Sequence, residues 1–80
     1  MSAKNLPIDL LRLQIEGTEL TKREKDVLRL FAFGHTHISA ARELGLHTDT
    51  VRIHTKAARA RLNAKTITHA VAIAVSLDLI

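Results

Sequence analysis

The sequence predicts an all-α domain, and three observations carry that prediction. Apolar residues recur at three- and four-residue spacing along most of the chain. Residues that cap helix starts, Thr21, Thr36 and Thr66, stand just ahead of those runs. The hydrophobic fraction is 46%, but eleven of those residues are Ala and only two residues of the chain are aromatic, so the core must be built from Leu, Ile and Val on packed helices. At 80 residues and 8.9 kDa there is material for one small domain, near the size at which a single core supplies only a few kcal/mol.

The elements follow in order. Residues 1–19 form an N-terminal extension and 20–80 the domain. The extension reads two ways. Leu11, Leu13 and Ile15 alternate with polar residues like a strand, whereas Ile8, Leu11 and Ile15 share a helical face. The helical reading is preferred, because Pro7 suits a first turn and Gly17 lies beyond a last one, which gives a fifth, short helix. Its apolar face packs on the domain or meets a second chain, and both readings stand.

Thr21 with Glu24 three residues later is a capping-box pattern, so a helix starts there, with Val27, Leu28, Leu30 and Phe31 as its apolar stripe and Gly34 ending it in a left-handed conformation. Thr36 caps a second, short helix carrying Ile38, Ala40, Ala41 and Leu44 and closed by Gly45. Its two Ala residues let another helix approach closely, and Ile38 reads either as a buried anchor or as an exposed protein contact. A third helix runs from about Thr48 to Leu62, with Asp49 near its positive end and Arg59 and Arg61 near its negative end. Thr66 caps a fourth, with Ala70, Val71, Ala74 and Val75 at helical spacing and Ile67, Ile73 and Leu77 widening its apolar face. That helix is either core throughout or core on one side and a dimer seam on the other.

Charge narrows the function. Twelve Lys and Arg against eight Asp and Glu give +4 and a pI near 10.1, which favours an anionic partner. The excess is local. Thr50 to Leu77 holds Arg52, Lys56, Arg59, Arg61 and Lys65 and no acid, which predicts one strongly positive surface. With no Cys there is no disulfide, thiolate zinc site or Cys nucleophile, as suits a reducing cytoplasm. Of the five His, only His35 and His37 are close in sequence and no carboxylate cluster completes a metal site, so neither metal nor cofactor is expected. Glu24 reads as a capping carboxylate or the partner of a nearby Arg, and without a second acid or a nucleophile no enzyme activity is expected. No run of about 18 apolar residues offers a membrane span, and the N-terminus lacks the blocks of a signal peptide.

Thr36 to Leu62 has the layout of a helix-turn-helix unit: helix, glycine-containing turn, helix. Arg52, Lys56 and Arg59 fall at i, i+4 and i+7 and line one face of the second of these helices, with Ile53 beside them. Val51, His54, Ala58 and Leu62 form the stripe expected to face the core. A helix with one basic and one apolar face fits the major groove, where cationic tips meet guanine O6 and N7 or phosphates and an aliphatic group meets a thymine methyl.

The run LTKREKDVLRLFAFG, then THISAARELGLHTDTVRIHTKAARARL, with Ala70-Val71 and a closing Leu79-Ile80, resembles the LuxR-type (GerE-like) helix-turn-helix family along residues 20 to 80. The resemblance implies a four-helix DNA-binding domain whose third helix enters the major groove and whose fourth makes a symmetric dimer contact. Position by position, it implies base reading by Arg52, Ile53 and Lys56, backbone contacts by Thr36, His37, Thr50, His54 and Arg59, and a dimer face at Val71, Val75 and Leu79. Two departures stand out. His37-Ile38-Ser39-Ala40 replaces the family's usual Asn-Lys-Glu-Ile, and His47 stands where a Ser usually caps the third helix, which predicts a weaker phosphate grip and cap.

The expected function is therefore sequence-specific transcription regulation on double-stranded DNA as a homodimer, in a bacterial cytoplasm. The alternative is a small antagonist that pairs with a larger LuxR-type regulator, or another protein, through Ile38 or the apolar segment Leu6 to Ile15 and binds DNA weakly. A further reading makes the chain an excised C-terminal fragment, although Met1 and the uninterrupted lead into Leu20 suit a natural start.

Overall fold

The computed structural model describes residues 19–80. They form four helices and no strand: α1 Lys22–Ala32, α2 His37–Leu44, α3 Thr48–Arg61 and α4 Ile67–Ser76. The N-terminal extension, with its expected fifth helix and the segment Leu6 to Ile15, lies outside the described residues.

Each helix starts on a side-chain acceptor that takes up one of the free amides of a first turn. Thr21 Oγ1 accepts from Glu24 N at 3.1 Å and Glu24 Oε1 accepts from Thr21 N at 3.0 Å, the reciprocal box expected from their spacing. At α2, Ser39 does the work that the family gives to Glu: its Oγ accepts from Thr36 N at 2.9 Å while Thr36 Oγ1 accepts from Ser39 N at 3.1 Å. The start of α3 is likewise provided for, because His47 Nδ1 accepts from Asp49 N at 3.1 Å, so an imidazole lone pair stands in for the missing Ser hydroxyl. At α4, Thr66 Oγ1 accepts from His69 N at 3.0 Å and His69 Nδ1 accepts from Lys65 N at 3.1 Å.

All four helices end in one way. His35, Leu46, Ala64 and Leu79 donate their amides five residues back, to the carbonyls of Leu30, Ala41, Arg59 and Ala74, at 2.8 to 3.0 Å. The reversal needs a residue at positive φ, supplied by Gly34 at 95°, Gly45 at 67°, Asn63 at 53° and Asp78 at 60°. The two glycines are the expected stops. Asn and Asp are the side chains that tolerate this region best, which explains the other two.

Helix α3 packs against the other three, and α1 also packs on α4. One buried cluster joins Leu20, Leu28, Ala58, Leu62, Ala70, Ile73, Ala74 and Leu77, and a second joins Val27, Ala40, Ala41 and Val51. Ala40 and Ala41 are buried, and their small size lets α2 lie close to its neighbours, as their pairing predicts. Leu28, Leu62, Val27 and Val51 are the largest fully buried side chains, each contributing about 1.5 to 3 kcal/mol over exposure to water. Ile38 is 59% exposed, so it is no anchor of the core.

Candidate nucleic-acid interface

Helix α3 is divided lengthwise by its neighbours. Its inner stripe is Val51, Thr55, Ala58 and Leu62, all buried. Thr55 replaces His54 in the stripe expected from sequence. The spacing i, i+4, i+7, i+11 keeps these four on one side, whereas His54 falls at the edge and is half-buried. Arg52, Lys56 and Arg59 are exposed, and Ile53 is 65% exposed. At about 100° per residue, Ile53 stands nearly opposite the inner stripe and the three cations run along the rim beside it. Thr50 and His54, both half-buried, lie on the other rim, roughly 160° to 200° from Arg52. The expected contact residues of α3 therefore occupy two rims and the crest between them, as a rod lying in a groove presents its sides to both walls. Asp49, exposed in the first turn of the same outer face, was given no contact role from sequence.

Arg52, Lys56 and Arg59 make no ion pair among the described residues. The cations of α1 differ: Lys22, Arg23 and Arg29 gather on Asp26 at 3.5 to 3.6 Å. Arg61 also leaves the positive surface that its place in the basic run predicts. Its Nε lies 3.0 Å from Oε1 of Glu24, a carboxylate 3% exposed, so the end of α3 is tied to the start of α1. Glu24 is thus both cap and ion-pair partner, and the unpaired positive ridge comes down to Arg52, Lys56 and Arg59.

Helix α2 approaches the Arg52 rim. Thr36 is exposed at its cap, and His37, the first helical residue, is half-buried with Nε2 3.3 Å from Thr55 Oγ1. Thr55 donates its hydroxyl hydrogen to the carbonyl of Arg52 at 2.9 Å, so its oxygen receives and Nε2 is the protonated ring nitrogen. The Phe31 ring meets the imidazole at 4.9 Å between centroids and 73° between planes. Burial first, and then the Arg52 guanidinium, hold the His37 imidazolium below its ordinary value of 6.5. His37 therefore clamps α1, α2 and α3 as well as facing the ridge. Thr55 is the member of this clamp that the sequence reading missed, and the continuous inner spacing was the signal for it.

On α4, Ala70, Ile73 and Ala74 are buried, and Leu77 follows them into the core. Of the residues expected at a dimer face, Val71 and Leu79 are half-buried against this cluster and Val75 is 56% exposed. Among the described residues, no group of three His, Asp or Glu side chains gathers to hold a metal, and no helix is long and apolar enough to cross a membrane.

Comparison with known proteins adds to this geometry. Residues 18–74 match the family model described as bacterial regulatory proteins, luxR family. The chain is 40% identical over 51 residues to the HTH-type transcriptional activator RamA of Corynebacterium glutamicum, a stretch that covers 64% of this chain and 18% of that relative. The chain thus spans under a fifth of the length of the curated relative it matches. No solved structure matches it.

Proposed function

Since the chain belongs to the luxR family of bacterial regulatory proteins, we propose that it is a DNA-binding transcription regulator whose α3 reads the major groove. The observation that carries this reading is the division of α3. Arg52, Lys56 and Arg59, unpaired among the described residues, stand with Ile53 on the solvent side of a helix whose opposite side is core. Such a helix brings cations to phosphates without burying a charge, and it keeps Ile53 available for a thymine methyl. Arg52, Ile53 and Lys56 read bases; Arg59, Thr50, His54, Thr36 and His37 hold backbone. The module occupies residues 20–80 and acts as a homodimer through α4 around Val75, each α3 taking one half-site about one helical turn from the next.

Truncating Arg52 or Lys56 to Ala tests the reading. Loss of a base contact should cost about 1 to 3 kcal/mol on the selected site and relax the preference at one position, whereas loss of a phosphate contact weakens all sequences alike and lowers the salt slope by about one. Binding to selected and scrambled duplexes at two salt concentrations separates these outcomes, and equal losses on both duplexes would remove the base-reading role.

A second reading rests on Phe33, 85% exposed, and Ile38, 59% exposed, which flank the turn between α1 and α2. Ile38 stands where the family carries Lys, so an apolar contact replaces a cation there. In this reading the chain pairs with another regulator through that surface. Salt-sensitive but sequence-blind duplex binding would favour it.

A further inference from the structure

We propose that His37 couples DNA binding to proton uptake, so that the protein holds a duplex more tightly as pH falls. The inference rests on the DNA-binding reading and adds a control that the family resemblance does not supply, because the family usually has Asn at this position.

The imidazole is held in place and still has a nitrogen to protonate. Nε2 donates to Thr55 Oγ1, whose own hydrogen is committed to the Arg52 carbonyl, so the ring's proton is fixed on Nε2. Nδ1 makes no hydrogen bond among the described residues and carries the lone pair of the neutral ring. A second proton therefore adds at Nδ1 without breaking the clamp to α3.

The surroundings oppose that proton in the free protein. α1 presents the uncharged Phe31 ring, and α3 presents Thr55 and the Arg52 guanidinium, whose positive charge acts against a second cation. On α2 itself, His37 occupies the first turn, where the backbone dipole also disfavours a cation. Partial burial is the largest of these oppositions, ahead of the Arg52 charge.

A duplex reverses the largest removable part of the opposition. Arg52 is exposed and has no ion-pair partner among the described residues, so it is a cation that a polyanion engages. The negative potential of the bound duplex offsets the field of Arg52 and favours the imidazolium. The bound form then takes up a proton that the free form lacks, over the range between the two titration midpoints. By linkage, affinity rises as pH falls through that range and is independent of His37 above it, where both forms are neutral. Docking also removes water from the ring, which acts the other way, and for affinity to rise on acidification the strand's potential must outweigh that loss.

The experiment uses the full 80-residue chain and a mixed-sequence duplex at fixed ionic strength, with the dissociation constant measured by fluorescence anisotropy between about pH 5 and 8. The expected result is tightening on acidification by up to about tenfold per pH unit per bound domain at the steepest point. His37→Asn, which keeps a polar side chain at the helix start, should lower the slope of affinity against pH, whatever it does to the affinity itself. Ring NMR of the unaltered protein provides a check that does not depend on the variant folding: the His37 midpoint should move up when duplex is added. An equal slope in His37→Asn, or a midpoint that stays or moves down, overturns the coupling while leaving DNA binding intact. Absence of duplex binding at any salt concentration overturns the DNA-binding reading itself, and this inference with it.

Discussion

Glu24 carries two duties in one side chain. It accepts the Thr21 amide at 3.0 Å and faces Arg61 Nε at the same distance, from a position 3% exposed. The capping duty has the larger energetic effect, because the Arg61 side chain is 39% exposed and recovers water when its partner is lost, which keeps the ion pair near the small values of surface pairs. Glu24→Ala should therefore destabilise the fold by about 1 to 3 kcal/mol, and Glu24→Gln, which keeps a capping oxygen, by less. Urea unfolding measures both: the midpoint should fall with the slope unchanged, and a midpoint equal to that of the unaltered chain would show the cap to be dispensable. His37 and Thr55 raise the same kind of question, since each serves the clamp and the ridge together. The Glu24 cap was legible in the sequence because its partner is three residues away. The Arg61 partnership was not, because 37 residues separate the two and only folded helices bring them together.

At the level of elements, the chain is punctuated by local chemistry. Thr21, Thr36 and Thr66 start helices and Gly34 and Gly45 permit the stops, all by bonds spanning five residues or fewer, so sequence alone locates them. The stops at Asn63 and Asp78 escaped because those residues also suit helix starts and turns, and the positive φ follows from the closing backbone bond rather than from residue type. Gly45 permits a clean test. A Cβ added there meets nothing within 4 Å, so crowding adds nothing and the left-handed backbone at φ 67° sets the cost. Gly45→Ala should destabilise by about 1 to 2 kcal/mol, read as a lowered melting temperature, whereas a neutral outcome would mean that the turn relaxes. The third and fourth helices show a different gap. His47 and His69 cap through Nδ1, a use of imidazole that residue preferences for Ser, Thr, Asp and Asn do not signal.

For the whole molecule, the proposed dimer needs a surface on which two copies would meet. Most of α4's apolar surface is spent inside the domain, on Ala70, Ile73, Ala74 and Leu77, and Val75 is the large apolar side chain it leaves exposed. A dimer using α4 has a small apolar contact, so duplex binding is expected to hold it together by placing two copies on adjacent half-sites. Val75→Glu should leave the monomer folded and change the complex on a palindromic duplex from two chains to one, with weaker binding, as sedimentation of the complex would reveal. An unchanged two-chain complex would place the contact elsewhere.

The all-α class, the four helices of residues 20–80, their starts and two of their stops, and the basic register of α3 were set by sequence, because each depends on neighbours within a turn or on a periodicity that any helix enforces. The chain's tertiary packing decided the rest. It took Arg61 out of the positive surface, put Thr55 in the core in place of His54, exposed Ile38, and made His37 a clamp between helices. These outcomes depend on which distant side chains meet, and a linear pattern carries a helix's faces but not the identity of what packs on them.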